Sequence, residues 1–304
     1  MEEKKPYEAL TLNSTDGYAL SVHVFNVTDP KAVIRFIHGM EEYQDRYTPF
    51  ASFLQENGYA VVTADLRGHG KTAPKLCHIA DRDGDRLLIE DEETLLSFVQ
   101  ERWPGKPVYL FAHSMGTIIA RKLLQTRSGE FAKTALSGYP NPQAAAKAGI
   151  VVAGAIASVK GKQGYSKVVD MMVLGSFAKS VKNAESPLDW LSVNRENVKK
   201  YEKDPLCGAP FTLGSYDALF RLLADIDRPE LYRQVNEDMP FLMIAGCEDP
   251  CVGGEKGRTD SVDRLARAGF RNIRTVNLEG MRHEILNETD NASVYRKILA
   301  FFDE

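Results

Sequence analysis

Short apolar runs alternate with longer stretches of helical period along most of the chain. Runs rich in β-branched residues, such as KAVIRFI, YAVVTAD and PVYLFA, predict buried strands, because strands covered on both faces need few polar positions. The stretches around 47–57 and 91–102 space their apolar residues three and four positions apart and predict helices. This alternation is typical of a mostly parallel sheet flanked by helices.

The first two strand-like runs, YEALTLNST and YALSVHVFN, flank Asp16 and Gly17. An Asp-Gly pair favours a tight turn, so these runs predict an antiparallel hairpin. FAKTALSG, PFLMIAG and TVNLEG add later strands. We therefore predict an α/β fold with a mostly parallel eight-stranded sheet flanked by helices.

The alternation is interrupted between Tyr139 and Asp238. Two apolar stretches rich in small residues, QAAAKAGIVVAGAIASV and VVDMMVLGSFAKSV, precede a polar part, and none of them has a strand pattern. We interpret the interruption as a helical cap over the carboxyl edge of the sheet, where open α/β sheets bind ligands. The predicted division is a first core part at 1–138, the cap at 139–238 and a second core part at 239–304.

The two apolar stretches of the cap have two interpretations. They form a tunnel wall for an acyl chain, or a patch that makes transient contact with lipid interfaces. Alternatively they pack on all sides or form a dimer contact, with Met171 and Met172 filling irregular space in the core.

Composition and charge exclude several classes of protein. The 304 residues carry a net charge of −4 and no basic cluster, so no nucleic-acid partner is expected. The N-terminus, MEEKKPYE, lacks the apolar region of a signal peptide, and no run approaches the roughly 18 apolar residues of a membrane span. We expect a cytoplasmic protein. Cys247 and Cys251 have no second pair of zinc ligands near them, so free thiols and no metal are expected.

Chemistry is first indicated at residues 112–116, AHSMG, between the run PVYLFA and a helical pattern. Strand, sharp turn and helix are the context of the G-x-S-x-G nucleophile elbow. There Ser114 would adopt a strained backbone, and the residues two before and two after it must be small. Ala112 adds only a methyl group to the first glycine position, and Gly116 keeps the second. An ordinary helix-capping serine is the alternative.

A nucleophilic serine on this fold needs an acid and then a base later in the chain. His283 is the one histidine that follows Ser114, and it comes directly after the run TVNLEG. Asp249 follows PFLMIAG in the same way, with Glu248 as an alternative acid. Each residue alone could be an ordinary turn residue. Together, in the order Ser, Asp, His, they favour a catalytic triad.

A triad of this kind also needs two backbone N–H groups for the oxyanion. Met115, which follows Ser114, would supply one of them, and Met40 in the loop FIHGMEEYQDRY the other. His38 of that loop is expected to shape the backbone, because the base is already accounted for. No cofactor is required, and the P-loop spacing is absent.

These segments resemble the α/β-hydrolases of the monoacylglycerol lipase and lysophospholipase group, which is serine aminopeptidase S33-like, and especially its bacterial members. The resemblance covers nearly the whole chain, in the expected order. Its segments are HGMEEYQDRY, DLRGHGKT, AHSMG, DWLS, DPLCG, GCEDP and GMRHEILNE. It implies Ser114 as nucleophile, Asp249 and His283 as its partners, and the amides of Met40 and Met115 as the oxyanion hole.

The chain departs from the family pattern at two places. The family loop H-G-x-G-E-H reads H-G-M-E-E-Y, so Glu41 replaces a glycine and Tyr43 a histidine, which leaves the conformation of this loop open. Ala112 is the second and milder departure. In DLRGHGKT, Arg67 and His69 are expected to be structural, because an arginine donor array suits a hydrogen-bonded loop.

The resemblance implies a serine hydrolase that cleaves carboxylic esters through an acyl-enzyme intermediate. Together with the apolar cap it indicates a small-molecule acyl ester, such as a monoacylglycerol or lysolipid of medium to long chain. The alternatives are a prolyl aminopeptidase-like peptidase, a thioesterase or acyltransferase, and a non-catalytic ligand-binding protein on the same fold. A serine in place of an aspartate nucleophile disfavours epoxide hydrolase chemistry.

Overall fold

A computed structural model describes residues 5–141, 145–226 and 228–304. Within these ranges, eight strands form one sheet. The strands are β1 (Glu8–Asn13), β2 (Ala19–Phe25), β3 (Val33–Ile37), β4 (Ala60–Ala64), β5 (Val108–His113), β6 (Lys133–Ser137), β7 (Phe241–Gly246) and β8 (Ile273–Leu278). All eight fall on the runs that the sequence predicts as strands.

The strands lie in the order β1-β2-β4-β3-β5-β6-β7-β8. β1 and β2 form the antiparallel hairpin predicted around Asp16 and Gly17, and β2 is also antiparallel to β4. The remaining neighbours are parallel. Every residue of β3 and β4 is buried, as expected for strands covered on both faces. The predicted mostly parallel, eight-stranded sheet is confirmed.

Helices connect the strands. They are α1 (Thr48–Glu56), α2 (Gly84–Arg102), α3 (Met115–Arg127), α4 (Ala145–Lys160), α5 (Lys167–Val173), α6 (Arg195–Lys203), α7 (Leu213–Ile226), α8 (Gly254–Arg267) and α9 (Asn291–Asp303). Helix α2 begins at Gly84, so the predicted range 91–102 was too short. A Cβ at Gly84 would lie 2.9 Å from the Cβ of Ala218 in α7, and this tertiary contact is invisible in the local pattern.

Helices cover both faces of the sheet. On one face, α2 and α3 bury side chains such as Leu95 and Ile118. On the other, α1 and α9 bury side chains such as Phe50 and Ile298. Neighbouring residues of β5, Leu110 and Phe111, belong to these two separate clusters, because successive side chains of a strand point to opposite faces.

Two buried arginines link the sheet to helix α2. Arg35 of β3 donates to both carboxylate oxygens of Glu92, at 2.9 and 2.7 Å, and both side chains are 1% exposed. Arg67 pairs with Asp91 of α2 and with Asp16 of the hairpin turn. The structural interpretation of Arg67 agrees with these contacts.

The described residues between β6 and β7 contain helices α4 to α7 and no strand. Met171 and Met172 are 67% and 43% exposed, so their predicted placement in the core is wrong. Short helix α5 buries only Val169, and both methionines line an open cavity beside Ser114. Residues 142–144 lie outside the described ranges, and the last two of them belong to the first predicted apolar stretch. The boundaries 139–238 stay a prediction.

Among the residues that are described, none of the helices has both the length and the apolarity that a membrane span requires.

Candidate active site

Ser114 lies in a sharp turn between β5 and α3. Its φ of +52° and ψ of −123° are strained for a residue with a side chain. A Cβ on Gly116 would lie 2.4 Å from the carbonyl oxygen of Ile37 and 2.5 Å from that of His38. Only glycine allows α3 to approach the end of β3 this closely, and this approach exposes the serine hydroxyl at the carboxyl edge.

Asp249 and His283 follow the two neighbouring strands β7 and β8. A Cβ on Gly246, the last residue of β7, would lie 2.2 Å from the carbonyl oxygen of Met281. The two turns therefore touch through a glycine. Asp249 Oδ1 accepts a hydrogen bond of 2.8 Å from the N–H of Cys251, which fixes the orientation of the carboxylate.

The structure brings the three predicted residues together in one hydrogen-bonded chain. His283 Nε2 lies 2.8 Å from Ser114 Oγ, and His283 Nδ1 lies 2.9 Å from Asp249 Oδ2. The His283 and Asp249 side chains are 3% and 0% exposed. A proton on Nδ1 donates to the carboxylate and leaves Nε2 free to accept the serine proton. Glu248 is half exposed, and its carboxylate lies 3.5 Å from Arg282 Nε.

Burial and nearby charge act in opposite directions on His283. Burial alone lowers the pKa of the imidazole, but the Asp249 carboxylate and Cys251 outweigh it and raise the pKa well above its ordinary value. The neighbouring His113, whose ring centre lies 4.8 Å away, has a pKa well below its ordinary value because of burial and of the charge on His283. The indole ring of Trp190, 5.0 Å from the imidazole, covers the other side.

The loop after β3 lies directly against Ser114. A Cβ on Gly39 would lie 3.0 Å from the Cβ of Ser114, which brings the next residue, Met40, beside the hydroxyl. No hydrogen bond to a described residue occupies the N–H of Met40 or of Met115. His38 accepts from the N–H of Leu66 at 2.9 Å, so it joins two loops as predicted.

A buried ionic network beside the triad was missed by sequence reasoning. Arg46 donates to Glu42 Oε2 at 2.6 Å and to both carboxylate oxygens of Glu284, also at 2.6 Å. Glu42 in turn accepts from the N–H of Gly39 at 2.6 Å, and Asn197 of α6 donates to Glu284. Two signals point to it: the four-residue spacing of Glu42 and Arg46, and the position of Glu284 next to His283.

In this network a single arginine, Arg46, pairs with two carboxylates, Glu42 and Glu284. Burial raises the pKa of Glu42, whereas Arg46 outweighs burial and lowers the pKa of Glu284. The hydrogen bonds among Arg46, Glu42, Glu284 and Asn197 hold three segments in one arrangement. Those segments are the loop after β3, the His283 turn and helix α6.

A cavity of about 560 Å³ opens above Ser114. Ser114, His283 and Met40 line its floor, while most of its wall is apolar. Side chains of the wall include Ile118, Leu174, Phe177, Trp190, Leu219 and Phe220. Four carboxylic acids also line it: Glu41 and Asp170, together with Glu42 and Glu284 of the ionic network. Tyr43, the other departure from the family pattern in this loop, donates a hydrogen bond of 2.8 Å from its hydroxyl to Asp204.

Asp249, Cys251 and His283 place metal-ligand atoms within 4.8 Å of one another. This donor set suits zinc, but a bound ion would compete with the hydrogen bond between His283 and Asp249. All four cysteines are free thiols, and Cys247 Sγ contacts Glu279 instead of Cys251. That the protein uses no metal stays a prediction.

Comparison with known proteins gives one family and several relatives. A family model described as serine aminopeptidase, S33, matches residues 28–290. The chain is 27% identical over 270 residues to a monoacylglycerol lipase of Mycolicibacterium smegmatis, which covers 88% of this chain and 86% of that protein. It is 28% identical over 259 residues to the human monoglyceride lipase, which covers 80% of this chain and 74% of that protein.

Among solved structures, the chain is similar to a highly thermostable carboxyl esterase from Bacillus coagulans in complex with glycerol. The two are 25% identical, each is covered over 99% of its length, and the TM-score is 0.90. The sheet and the helical segment between β6 and β7 are therefore shared over the whole chain.

Proposed function

Because the chain belongs to the serine aminopeptidase S33 family, we propose that it hydrolyses carboxylic esters, with monoacylglycerols or related lysolipids of medium to long acyl chain as substrates. The observation that carries the proposal is the position of His283, within 2.8 Å of Ser114 Oγ and 2.9 Å of Asp249 Oδ2. The names of the two lipase relatives support the substrate class.

In the proposed first step, Ser114 Oγ attacks the ester carbonyl while its proton passes to His283 Nε2. Asp249 accepts the Nδ1–H bond, which keeps the productive tautomer and stabilises the imidazolium. The oxygen of the tetrahedral intermediate carries the negative charge, and the N–H groups of Met40 and Met115 donate to it. The carbon–oxygen bond to the alcohol then breaks, and the proton on Nε2 goes to the leaving oxygen.

The second step reverses the roles with water. His283 Nε2 takes a proton from the water as its oxygen attacks the acyl carbon of the ester on Ser114. The same two N–H groups stabilise the second oxyanion. When the bond to Oγ breaks, the proton returns from Nε2 to Ser114, and the carboxylic acid leaves.

The cavity supports an acyl substrate. Its wall of Ile118, Phe177 and Leu219 has no hydrogen-bonding side chain, so an acyl chain of the substrate buries apolar surface there at about 25 cal/mol per Å². Binding energy from the chain then holds the carbonyl at Ser114.

An exposed apolar patch supports contact with lipid interfaces. Val151, Val159 and Val168 are 71%, 87% and 61% exposed on α4 and α5, and we call them the valine patch. Lys160 and Lys167 are exposed on the same two helices and favour an anionic lipid surface. This contact would bring the cavity to substrates held in a membrane or micelle.

One observation favours a second candidate, an aminopeptidase. Glu41 and Asp170 line the cavity, and two carboxylates could pair with a free amino terminus. The apolar wall and the lipase relatives favour the ester. A thioesterase or acyltransferase would use the same acyl-enzyme.

Labelling with a fluorophosphonate probe tests the nucleophile. We expect Ser114→Ala to abolish labelling and to lower kcat by at least about 10⁴-fold. Ser158→Ala, at an exposed serine of α4, is the control, and it should keep both the labelling and the kcat of the wild type. A panel of monoacylglycerols, thioesters and prolyl amides then ranks substrates. A wild type that is not labelled contradicts the nucleophile, and a preference for amides contradicts the lipase.

A further inference from the structure

Glu41 occupies a backbone conformation that favours glycine. Its φ is +57°, and it directly follows Met40 in the loop that lies against Ser114. The Glu41 carbonyl oxygen accepts hydrogen bonds from Gly208 N at 2.9 Å and from the Tyr201 hydroxyl at 2.8 Å. These bonds hold the residue in place, so the strain cannot relax by a movement of the loop. A glycine here would avoid the steric cost.

The side chain of Glu41 adds a second cost. It lines the cavity, and among the described residues no partner binds its Oε1, which is buried. Burial first, and then the charge of Asp170, raise the pKa of Glu41 to about 8, against the effect of a backbone hydrogen bond from Phe211. A buried carboxyl with an unused oxygen lowers the stability of the fold. Folding therefore explains neither the backbone nor the side chain of Glu41.

The surroundings of Glu41 indicate what would use that oxygen. Asp170, the carboxylate whose charge acts on Glu41, already accepts a 2.7 Å hydrogen bond from the Tyr216 hydroxyl. The rest of the wall is mainly apolar and suits an acyl chain, which has no hydrogen-bond donor. A donor on the substrate must therefore belong to its alcohol side.

We propose that Glu41 is a specificity-determining residue whose carboxyl binds a hydrogen-bond donor on the alcohol side of the substrate, namely a hydroxyl of a polyol ester. The inference rests on the proposed ester hydrolysis. The strain at Glu41 is retained because the contact with substrate favours turnover of such esters over esters of simple alcohols. Selection of this kind is strong when a site leaves a polar group unpaired with the wrong substrate.

Kinetics of Glu41→Gly and Glu41→Gln on matched esters test the proposal. The esters share one acyl chain and differ in the alcohol: glycerol, propanol, or aminoethanol, which carries an ammonium donor. We expect Glu41→Gly to lower kcat/KM for the glycerol ester about tenfold, the scale of one lost hydrogen bond, and to leave the propyl ester nearly unchanged. The melting temperature of this variant should rise. Glu41→Gln keeps a hydrogen-bond acceptor, so its loss of kcat/KM for the glycerol ester should be smaller than that of Glu41→Gly.

Gln234→Gly is the matched control, because Gln234 also has a positive φ of 54° and does not line the cavity. Gln234→Gly should leave kcat/KM unchanged for both the glycerol and the propyl ester. If Glu41→Gly lowers kcat/KM equally for the glycerol and propyl esters, Glu41 only shapes the loop and the proposal is overturned. An unchanged kcat/KM for both esters also overturns it. A loss confined to the aminoethyl ester assigns the donor as an ammonium group and overturns the hydroxyl. A wild type inactive on all three esters contradicts the proposed function instead.

Discussion

Arg46 donates to both carboxylate oxygens of Glu284, and both distances are 2.6 Å. Arg46 belongs to the loop that carries Met40, and Glu284 is the residue after His283. This one ion pair therefore links the loop proposed to bind the oxyanion with the turn that carries the proposed base. Both side chains are buried, so solvent screens the pair little.

We expect Arg46→Lys to lower kcat about 10- to 100-fold with a smaller change in KM, because a lysine cannot hold both oxygens and displacements near 1 Å reduce rate on this scale. Steady-state kinetics on a soluble ester, with thermal unfolding in parallel, measure it. Arg67→Lys removes a comparable buried arginine away from the cavity and should lower stability without lowering kcat. Equal kcat losses in both variants would contradict the positioning role.

The pH dependence of kcat/KM should follow His283. A general base works when neutral, so activity rises as pH increases through its pKa, which lies above the value of a free histidine. In Asp249→Asn the raising charge is absent, and we expect the rising limb to move to lower pH while the plateau falls about 10⁴-fold.

Glu248→Gln is the control for this experiment, because Glu248 is adjacent to Asp249 in sequence but is half exposed and pairs with Arg282, whereas Asp249 is the carboxylate hydrogen-bonded to His283. Glu248→Gln should leave the rising limb of the kcat/KM profile at the same pH as in the wild type. A rising limb that stays at the same pH in Asp249→Asn would contradict the assignment of Asp249 as the partner of His283.

The valine patch should matter only at interfaces. We expect Val151→Ser combined with Val159→Ser to lower binding to anionic vesicles, and hydrolysis of monoacylglycerol in them, by about tenfold, because each valine loses apolar contact with lipid. Co-sedimentation and rate assays measure this. Val193→Ser, at an exposed valine outside α4 and α5, is the control. A matching loss on a soluble short-chain ester would refute the interfacial role.

The ion pair of Arg35 and Glu92 should affect stability alone. Arg35→Met leaves Glu92 buried without its partner, and we expect a loss of about 3–5 kcal/mol in the free energy of unfolding. The double variant Arg35→Met with Glu92→Leu removes both charges and should recover most of that loss. Urea unfolding measures both variants. A double variant as unstable as the single one would contradict the desolvation argument.

The sheet was predictable because its strands are short apolar or alternating runs bounded by turns. The beginning of α2 was not, because Gly84 lies close against Ala218 of α7, and a contact between distant segments leaves no mark on the local pattern. Met171 and Met172 were misplaced for a related reason: their apolar character does not distinguish a side chain packed in the core from one that lines an open cavity.

The candidate site was predictable as far as residue type limits the choice. A single histidine follows Ser114, and strand ends position both it and Asp249. Arg46 and Glu284 could not be paired from sequence, because 238 positions separate them and both residue types usually lie on the surface. Glu41 was visible only as a departure from a family glycine, and its positive φ required the structure.

The 169 positions between Ser114 and His283 also order events during synthesis. The ribosome releases the serine, its turn and helix α3 long before it releases the histidine, and β8 must join β7 before the imidazole can reach the hydroxyl. A nascent chain that ends before the final strand therefore carries Ser114 without its base. If the proposed roles hold, esterase activity first appears only when translation of the final strand and its turn is complete.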